Sequence, residues 1–316
     1  MKIAFTGSSG LLAGSVLSLL EADSEIEEIV GIDLRPRAES RRKLRWVKRD
    51  ICDPQIWQDM QGCEILIHMA FIVLPIRNTA KAIEINIEGS RNVFNAAAKA
   101  GVKKIIYTSS TAVYGAWPDN PMPISESDSR RGNPDFYYSW SKAKVEDCLD
   151  EFEKDNAEII ITRFRPPIIL SPKAYKITRW LVEQPFGVSI LNRDTKTQFV
   201  WDEDVAMAIL LAIKGDFHGA FNLGADGSLT SKEMNKIMGK PTITIPIVVI
   251  YVIVWLAWNL RLAKSVSPGW ISIMKYSTIA CNDKAKLVMG WIPKYSASEA
   301  FSLMLSEIKK DKNQIA

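Results

Sequence analysis

Six short apolar runs within the first 165 residues restrict the chain to one kind of architecture. They are KIAFT (2–6), EEIVGID (27–33), LRWVKRD (44–50), EILIHMA (64–70), KKIIYTSS (103–110) and EIIITRFR (158–165). Helical patterns lie between them, near 11–22, 54–61, 79–100 and 139–154. Valine and isoleucine follow one another in these runs instead of alternating with polar residues. That pattern marks strands buried on both faces. Buried strands joined through helices must pair in parallel, because each crossover helix covers one face of the sheet. The expected fold is α/β, a doubly wound parallel sheet.

TGSSGLLAG (6–14) refines this to a Rossmann-type sheet. The motif leaves the first strand and opens the first helix. Gly7 and Gly10 let the backbone turn tightly and approach a ligand, and Ser9 and Leu11 complete the turn onto the helix. A helix N-terminus presents N–H groups and partial positive charge, suited to a pyrophosphate. Ala13 and Gly14 permit close helix–strand packing. Asp33 ends the second strand, where a carboxylate can accept both hydroxyls of an adenosine ribose. That favours NAD. Arg35 and Arg37 stand close enough to pair with a 2′-phosphate, which keeps NADP open. Asp50 and Ile51, after the third strand, are expected to flank the adenine.

YTSSTAVYG (107–115) places hydroxyls at the carboxyl end of the fifth strand, above the same crevice. Downstream, YYSWSKAKVE (137–146) sets Tyr138 and Lys142 four apart, on one face of a helix. A phenol with an ordinary pKa near ~10 is a poor base at neutral pH. A neighbouring ammonium lowers it by charge proximity. The expectation is that Tyr138 exchanges a proton with the substrate while a hydride passes to or from nicotinamide, and that Ser110 holds the substrate oxygen.

Taken in order, TGSSGLLAG, GIDLR, RDICD, IHMA, NIEGSRNVFNAAAKAGVKKIIYTSSTAVYG, YYSWSKAKVE, RFRPPIILSP, FVWDEDVAMAI, GAFNLGADGSLTSKE and DKAKLVMGWIPKYSASEAF give the chain a resemblance. It resembles the extended short-chain dehydrogenase/reductases of the NAD-dependent epimerase/dehydratase family, over nearly its whole length. The resemblance implies an NAD-linked enzyme with Ser110, Tyr138 and Lys142 as its catalytic set. It implies cofactor contacts from Met69 and Ala70 after the fourth strand, from Pro166 and Ile168 after the sixth, and from Tyr138 and Lys142. His68 is read as packing. Thr111, Pro167 and Lys196 are expected on the substrate side. Two departures bear on the substrate. Nucleotide-sugar members often carry Asn where this chain has Pro167, and Arg near Thr197 and Gln198. Lys196 or Arg193 can substitute for that Arg. The resemblance also implies a homodimer, through helices 79–100 and 139–154.

Beyond residue 170 the pattern loosens, with Pro172, Pro185, DGS (226–228) and Pro241 between shorter elements. Residues 1–170 are read as the dinucleotide-binding domain, with segments near 195–225 returning to it. Residues 171–316 are read as mainly a smaller substrate-binding part. It contains PTITIPIVVIYVIVWLAWNL (241–260), which has no charge and lies between Lys240 and Arg261. Three readings of this segment stay open. Thr242–Ile245 is a strand and Ile247 to about Ala263 a helix that packs on the sheet domain or covers an apolar substrate. Alternatively the helix, over 247–262, contacts a membrane surface. Or the segment spans a bilayer, although Pro246 leaves too short a helix behind it.

Net charge is +4, from 40 basic and 36 acidic residues, with no long basic run, so no nucleic-acid partner is expected. RPRAESRRKLR (35–45) reads as a solvated loop. Cys52, Cys63, Cys148 and Cys281 have no CxxC or metal spacing, and two histidines are too few for a His-based site, so no metal is expected. MKIAFTGSSG enters a strand at once, with no signal peptide pattern. A cytoplasmic setting, with membrane association open, is expected. Three functions follow: an NAD(P)-dependent oxidoreductase acting on a hydroxyl or ketone of an apolar small molecule; a nucleotide-sugar epimerase or dehydratase that returns the hydride internally; and a non-catalytic dinucleotide-binding protein.

Overall fold

The computed structural model describes residues 1–37, 39–173, 176–262 and 266–315. Strand β1 (Lys2–Thr6) leads into α1 (Leu11–Ala22), β2 (Glu28–Asp33), β3 (Leu44–Lys48) and β4 (Ile65–His68). Helix α2 (Thr79–Lys99), β5 (Lys104–Thr108), α3 (Tyr137–Asp155) and β6 (Ile160–Arg165) complete the first half. The segment expected as a helix at 54–61 is only a 3-10 turn, Ile56–Met60. Pro54 precedes it, and Gly62, at φ +73°, reverses the chain after it.

The second half runs β7 (Ile168–Leu170), α4 (Lys176–Glu183), β8 (Gly187–Ile190), β9 (Lys196–Thr197), β10 (Phe199–Trp201) and α5 (Asp202–Lys214). It continues with β11 (Gly219–Asn222), β12 (Leu229–Thr230), α6 (Ser231–Ile237), β13 (Thr242–Ile245), α7 (Ile247–Asn259), α8 (Gly269–Ser272), α9 (Asp283–Met289) and α10 (Ala297–Ile315).

Seven strands form one parallel sheet in the order β11-β6-β5-β4-β1-β2-β3. The continuous Val/Ile runs have the predicted consequence: every residue of β4 and β5 is buried. Each fully buried Val, Leu or Ile side chain contributes about 1.5–3 kcal/mol. On one face Val16, Leu17 and Leu20 of α1 meet Val205 and Ile209 of α5. On the other, Val93 and Phe94 of α2 meet Val145 and Leu149 of α3. Strand order reverses between β1 and β4, which opens a crevice beyond their carboxyl ends.

The return to the sheet domain extends further than residues 195–225. Ala285, Met289 and Trp291 also join the core beside α1 and α5. Trp291 is fully buried, and its Nε1 donates to Asp204 O at 2.8 Å. Apart from the large sheet, β7 pairs with β10, β9 with β12 and β8 with β13. Leu170, Phe199 and Trp201 there pack on Phe301 and Met304 of α10.

Residues 241–260 are not one helix. Pro246 separates β13 from α7. At about 1.5 Å per residue, 13 residues reach only ~20 Å, short of the ~30 Å hydrocarbon layer. Among the described residues no helix is long and apolar enough to cross a membrane, so the spanning reading fails. No residue of α7 is buried, and Ile247, Ile250, Val254, Ala257 and Trp258 are half-buried.

Candidate active site

The crevice begins at Gly7. Its φ of +76° suits glycine, and its N–H donates to Ile32 O at 2.9 Å. A Cβ there would lie 2.5 Å from Ala70 N and 2.7 Å from Met69 C, so the turns after β1 and β4 meet as bare backbone. Gly10 caps α1 without a side-chain hydrogen bond, and Leu11 is the first helical residue. The turn thus keeps backbone groups at the helix start available to an anion. Asp33 stands at the end of β2. One carboxylate oxygen accepts from Ser9 N at 3.1 Å and the other from Arg35 N at 3.2 Å. Arg37 crosses the turn, donating from Nη1 to Gly10 O at 3.2 Å. This arrangement fits a dinucleotide, with bare backbone at the start of α1 and a carboxylate at the end of β2.

The two residues after β3 behave differently from one another. Asp50 accepts from Cys52 N at 2.9 Å within its loop. Ile51 is buried in the core, where a Cβ on Gly89 would come within 2.7 Å of its Cδ1. His68 is fully buried, with Nδ1 at 2.6 Å from Thr6 Oγ1 and Nε2 at 2.9 Å from Ser90 Oγ. Burial, with a contribution from Lys142, pushes its imidazole down to about 3, so it stays neutral and packs.

At the carboxyl end of β5, Ser110 caps a 3-10 turn over Thr111–Tyr114. Its Oγ accepts from Ala112 N at 3.2 Å and donates to Pro166 O at 3.3 Å. The same carbonyl accepts from Thr111 N at 3.0 Å. Pro166 is buried, Pro167 half-buried and Ile168 exposed, so this segment turns from core to crevice.

Helix α3 starts beside that turn. Ser139, next to Tyr138, donates from Oγ to Ala112 O at 2.6 Å and accepts from Asn133 N at 2.8 Å. These bonds fix the first turn of α3, and hence Tyr138, against the segment that Ser110 caps. Lys142, one helical turn on, donates from Nζ to Thr108 O at 2.7 Å and to Tyr107 Oη at 3.2 Å. Its Nζ lies 3.8 Å from the centre of the Phe71 ring and 5.9 Å from that of Tyr138. Burial pushes the Lys142 ammonium down to about 7, against an upward pull from Glu146.

A pH-dependent stability follows. Below pH 7 both folded and unfolded Lys142 carry the proton, and the full burial cost applies. Between 7 and 10.5 only the unfolded state keeps it, so this cost recedes as pH rises. The Lys142→Met variant is expected to gain stability relative to the native chain most clearly at acid pH. That relative gain should shrink by roughly 3 kcal/mol between about pH 6 and 9.5. Urea titrations at both pH values measure it, and a gap that does not change with pH would remove the buried charge from the account.

Helix α3 is also held by a buried ion pair. Arg165 donates from Nε to Glu146 Oε1 at 2.9 Å and from Nη2 to Oε2 at 2.5 Å. Ser109 Oγ donates to Glu146 Oε1 at 2.6 Å, and Arg130 Nη1 to Oε2 at 3.2 Å. Burial acts to raise the Glu146 pKa, but Arg165, Ser109 and Arg130 outweigh it and hold the carboxyl below its usual range.

The sequence did not reveal the wall around Tyr138. Phe71 meets its ring edge-on at 5.6 Å, Phe136 lies at 5.8 Å, and Trp270 packs on Phe136 at 5.2 Å. Tyr137 donates to Val73 O at 2.6 Å, tying the loop after β4 to α3. Phe71 directly follows the IHMA motif, which was the one local signal. Lys196 sits exposed on β9, with its backbone N–H on Ser277 Oγ at 2.9 Å. Arg193 is engaged with Lys275 O at 2.6 Å and the Tyr276 ring at 5.1 Å. Gln198 is consumed by Ala225 O at 3.0 Å and by both polar backbone groups of Ala280 at 3.0 and 3.1 Å.

A parallel sheet whose order reverses over a glycine turn defines a Rossmann-type dinucleotide-binding fold. The NAD dependent epimerase/dehydratase family profile matches residues 3–224, and the chain belongs to this family of enzymes. An uncharacterised Mycobacterium tuberculosis protein is 24% identical over 308 residues, covering 94% of this chain and 81% of the relative. The Mus musculus dTDP-D-glucose 4,6-dehydratase is 25% identical over 265 residues, covering 74% and 71%. Among solved structures, the Thermotoga maritima UDP-glucose 4-epimerase with UDP-glucose superposes with a TM-score of 0.78. It is 20% identical, covering 99% of this chain and all of that one.

Proposed function

We propose that the protein is an NAD(P)-linked oxidoreductase acting at a hydroxyl or ketone carbon of an apolar small molecule. The aromatic wall around Tyr138 carries this reading. Phe71 and Trp270, both half-buried, offer apolar surface beside the reacting position, with Phe136 buried behind them. Pro167 adds to it, since a proline side chain donates no hydrogen bond. Gly7, Ser9, Gly10 and Leu11 hold the pyrophosphate, Asp33 the adenosine ribose, and Pro166 with Ile168 the far end. The nicotinamide, when bound, supplies or accepts the hydride. Ser110 positions the substrate oxygen, and Tyr138 Oη takes its proton during oxidation or returns it during reduction. Lys142, which burial pushes down to about 7, carries its proton one helical turn from Tyr138 below neutral pH and gives it up above.

A second reading is a nucleotide-sugar epimerase or dehydratase using the same three residues. It is favoured by the named activity of the mouse relative. It is disfavoured by the engagement of Arg193 and Gln198 within the protein. Absorbance of NADH with purified protein, NAD and a panel of sterol, prenol and nucleotide-sugar alcohols separates the two. Net NADH with an apolar alcohol supports the first. An isomerised or dehydrated nucleotide sugar without net NADH overturns it for the second.

A further inference from the structure

Helix α7 has an outward face that no part of the described chain covers. Val248, Val252 and Leu260 are 67%, 46% and 65% exposed, and Leu262 beyond the helix is 76% exposed. Only Ile247, Ile250, Val254, Ala257 and Trp258 are half-buried, and they form the inward stripe. Water-facing helices normally carry charge on that side. This one carries none. Tyr251 and Trp255, both exposed, add amphipathic rings of the kind that settle where apolar and wet phases meet.

Charge distribution says what covers the face. From Met234 to Asn282 the sequence holds five lysines or arginines and not one Asp or Glu, in a chain with 36 acidic residues. Arg261 is exposed at the end of the helix. Arg77 is exposed beside it, stacked 4.0 Å over the Trp258 ring and donating to Trp258 O. Apolar bulk flanked by cations and free of anions matches a bilayer with anionic headgroups. The site lies next to it. Arg77 belongs to the loop after β4 that carries exposed Leu74 and Ile76, and the same loop brings Phe71 to Tyr138.

We propose that the α7 face, with Arg77 and Arg261 at its margin, docks the protein on an anionic lipid surface. Docking places the loop of Phe71, and with it the mouth of the site, at the membrane interface. The face lies flat and does not cross. A substrate with a lipid tail can then reach Tyr138 without leaving the bilayer. The docking itself is independent of which substrate the site takes.

Vesicle sedimentation tests this with the full chain. Vesicles of equal parts phosphatidylcholine and phosphatidylglycerol are expected to carry the protein down, and phosphatidylcholine alone to do so weakly. Added salt should weaken the first, because it screens the cationic margin. Val248→Glu with Val252→Glu, both at exposed positions, should lower the bound fraction about tenfold or more. NADH fluorescence titration of the same variant should match the native chain, which shows that it is folded. Native protein left in the supernatant with anionic vesicles overturns the proposal, as does equal sedimentation of the variant. Light scattering covers a remaining occupant: a native dimer that the variant converts to monomer assigns the face to a second copy and also overturns it. Loss of NADH binding by the native chain would instead count against the dinucleotide reading and leave the sedimentation result standing.

Discussion

Tyr138→Phe is expected to lower kcat about a thousandfold while dinucleotide affinity stays within about threefold. The substitution removes one oxygen and keeps the ring. Packing against Phe71 and Phe136 therefore survives, and the Ser139 bond still holds the start of α3. What disappears is the group proposed to exchange a proton with the substrate oxygen. Steady-state rates with the substrate found in the NADH assay, next to an NADH fluorescence titration, separate chemistry from binding. Activity retained within tenfold would take Tyr138 out of the proton transfer. Equal losses of rate and of NADH binding would instead make it a structural residue.

Glu146→Ala is expected to have the largest effect on stability. Glu146 is fully buried, and its removal leaves Arg165, itself 3% exposed, without its counter-charge. Breaking a buried pair in this way costs about 3–5 kcal/mol. In a chain of this size that lowers Tm by roughly 5–8 °C. Glu146→Gln, which keeps a hydrogen-bonding head, should cost less. The effect depends on pH with a definite sign. Because the folded carboxyl is held below its usual range, its contribution is complete above the unfolded pKa and is lost as pH falls through the folded value. The gap between native and Ala-variant melting temperatures should therefore narrow in acid. A gap that is constant down to about pH 3 would mean that packing, and not the ion pair, holds α3 to β6.

Much of this molecule is legible in short windows of sequence. Val/Ile runs without alternation announced the buried strands, and the glycine turn announced the crevice. The four-residue spacing of Tyr138 and Lys142 announced one helical face. Each of these is a local consequence of backbone geometry. The aromatic wall is not local. Phe71, Phe136 and Trp270 come from three distant segments, and only the tertiary fold brings them to one ring. The fate of the apolar segment was equally hidden. Hydropathy reports that α7 avoids water, but not whether protein, substrate or lipid shields it. Beside the family resemblance, Lys196 or Arg193 stood as substitutes for an Arg that holds a diphosphate. Arg193 is spent on the backbone of Lys275, which no motif encodes.

Trp291 has a consequence for how the chain is made. It shares one buried core cluster with α1 and α5, although it lies some 270 residues downstream of α1 (Leu11–Ala22). A ribosome releases the glycine turn, β1 and α1 early, yet one of the largest side chains of their core cluster is synthesised near the end. Until residue 291 has emerged, the sheet carries an open apolar hollow on that face. A gene cut after the family-matched segment would release that larger part with its hollow permanently open, prone to stick to other chains and to chaperones.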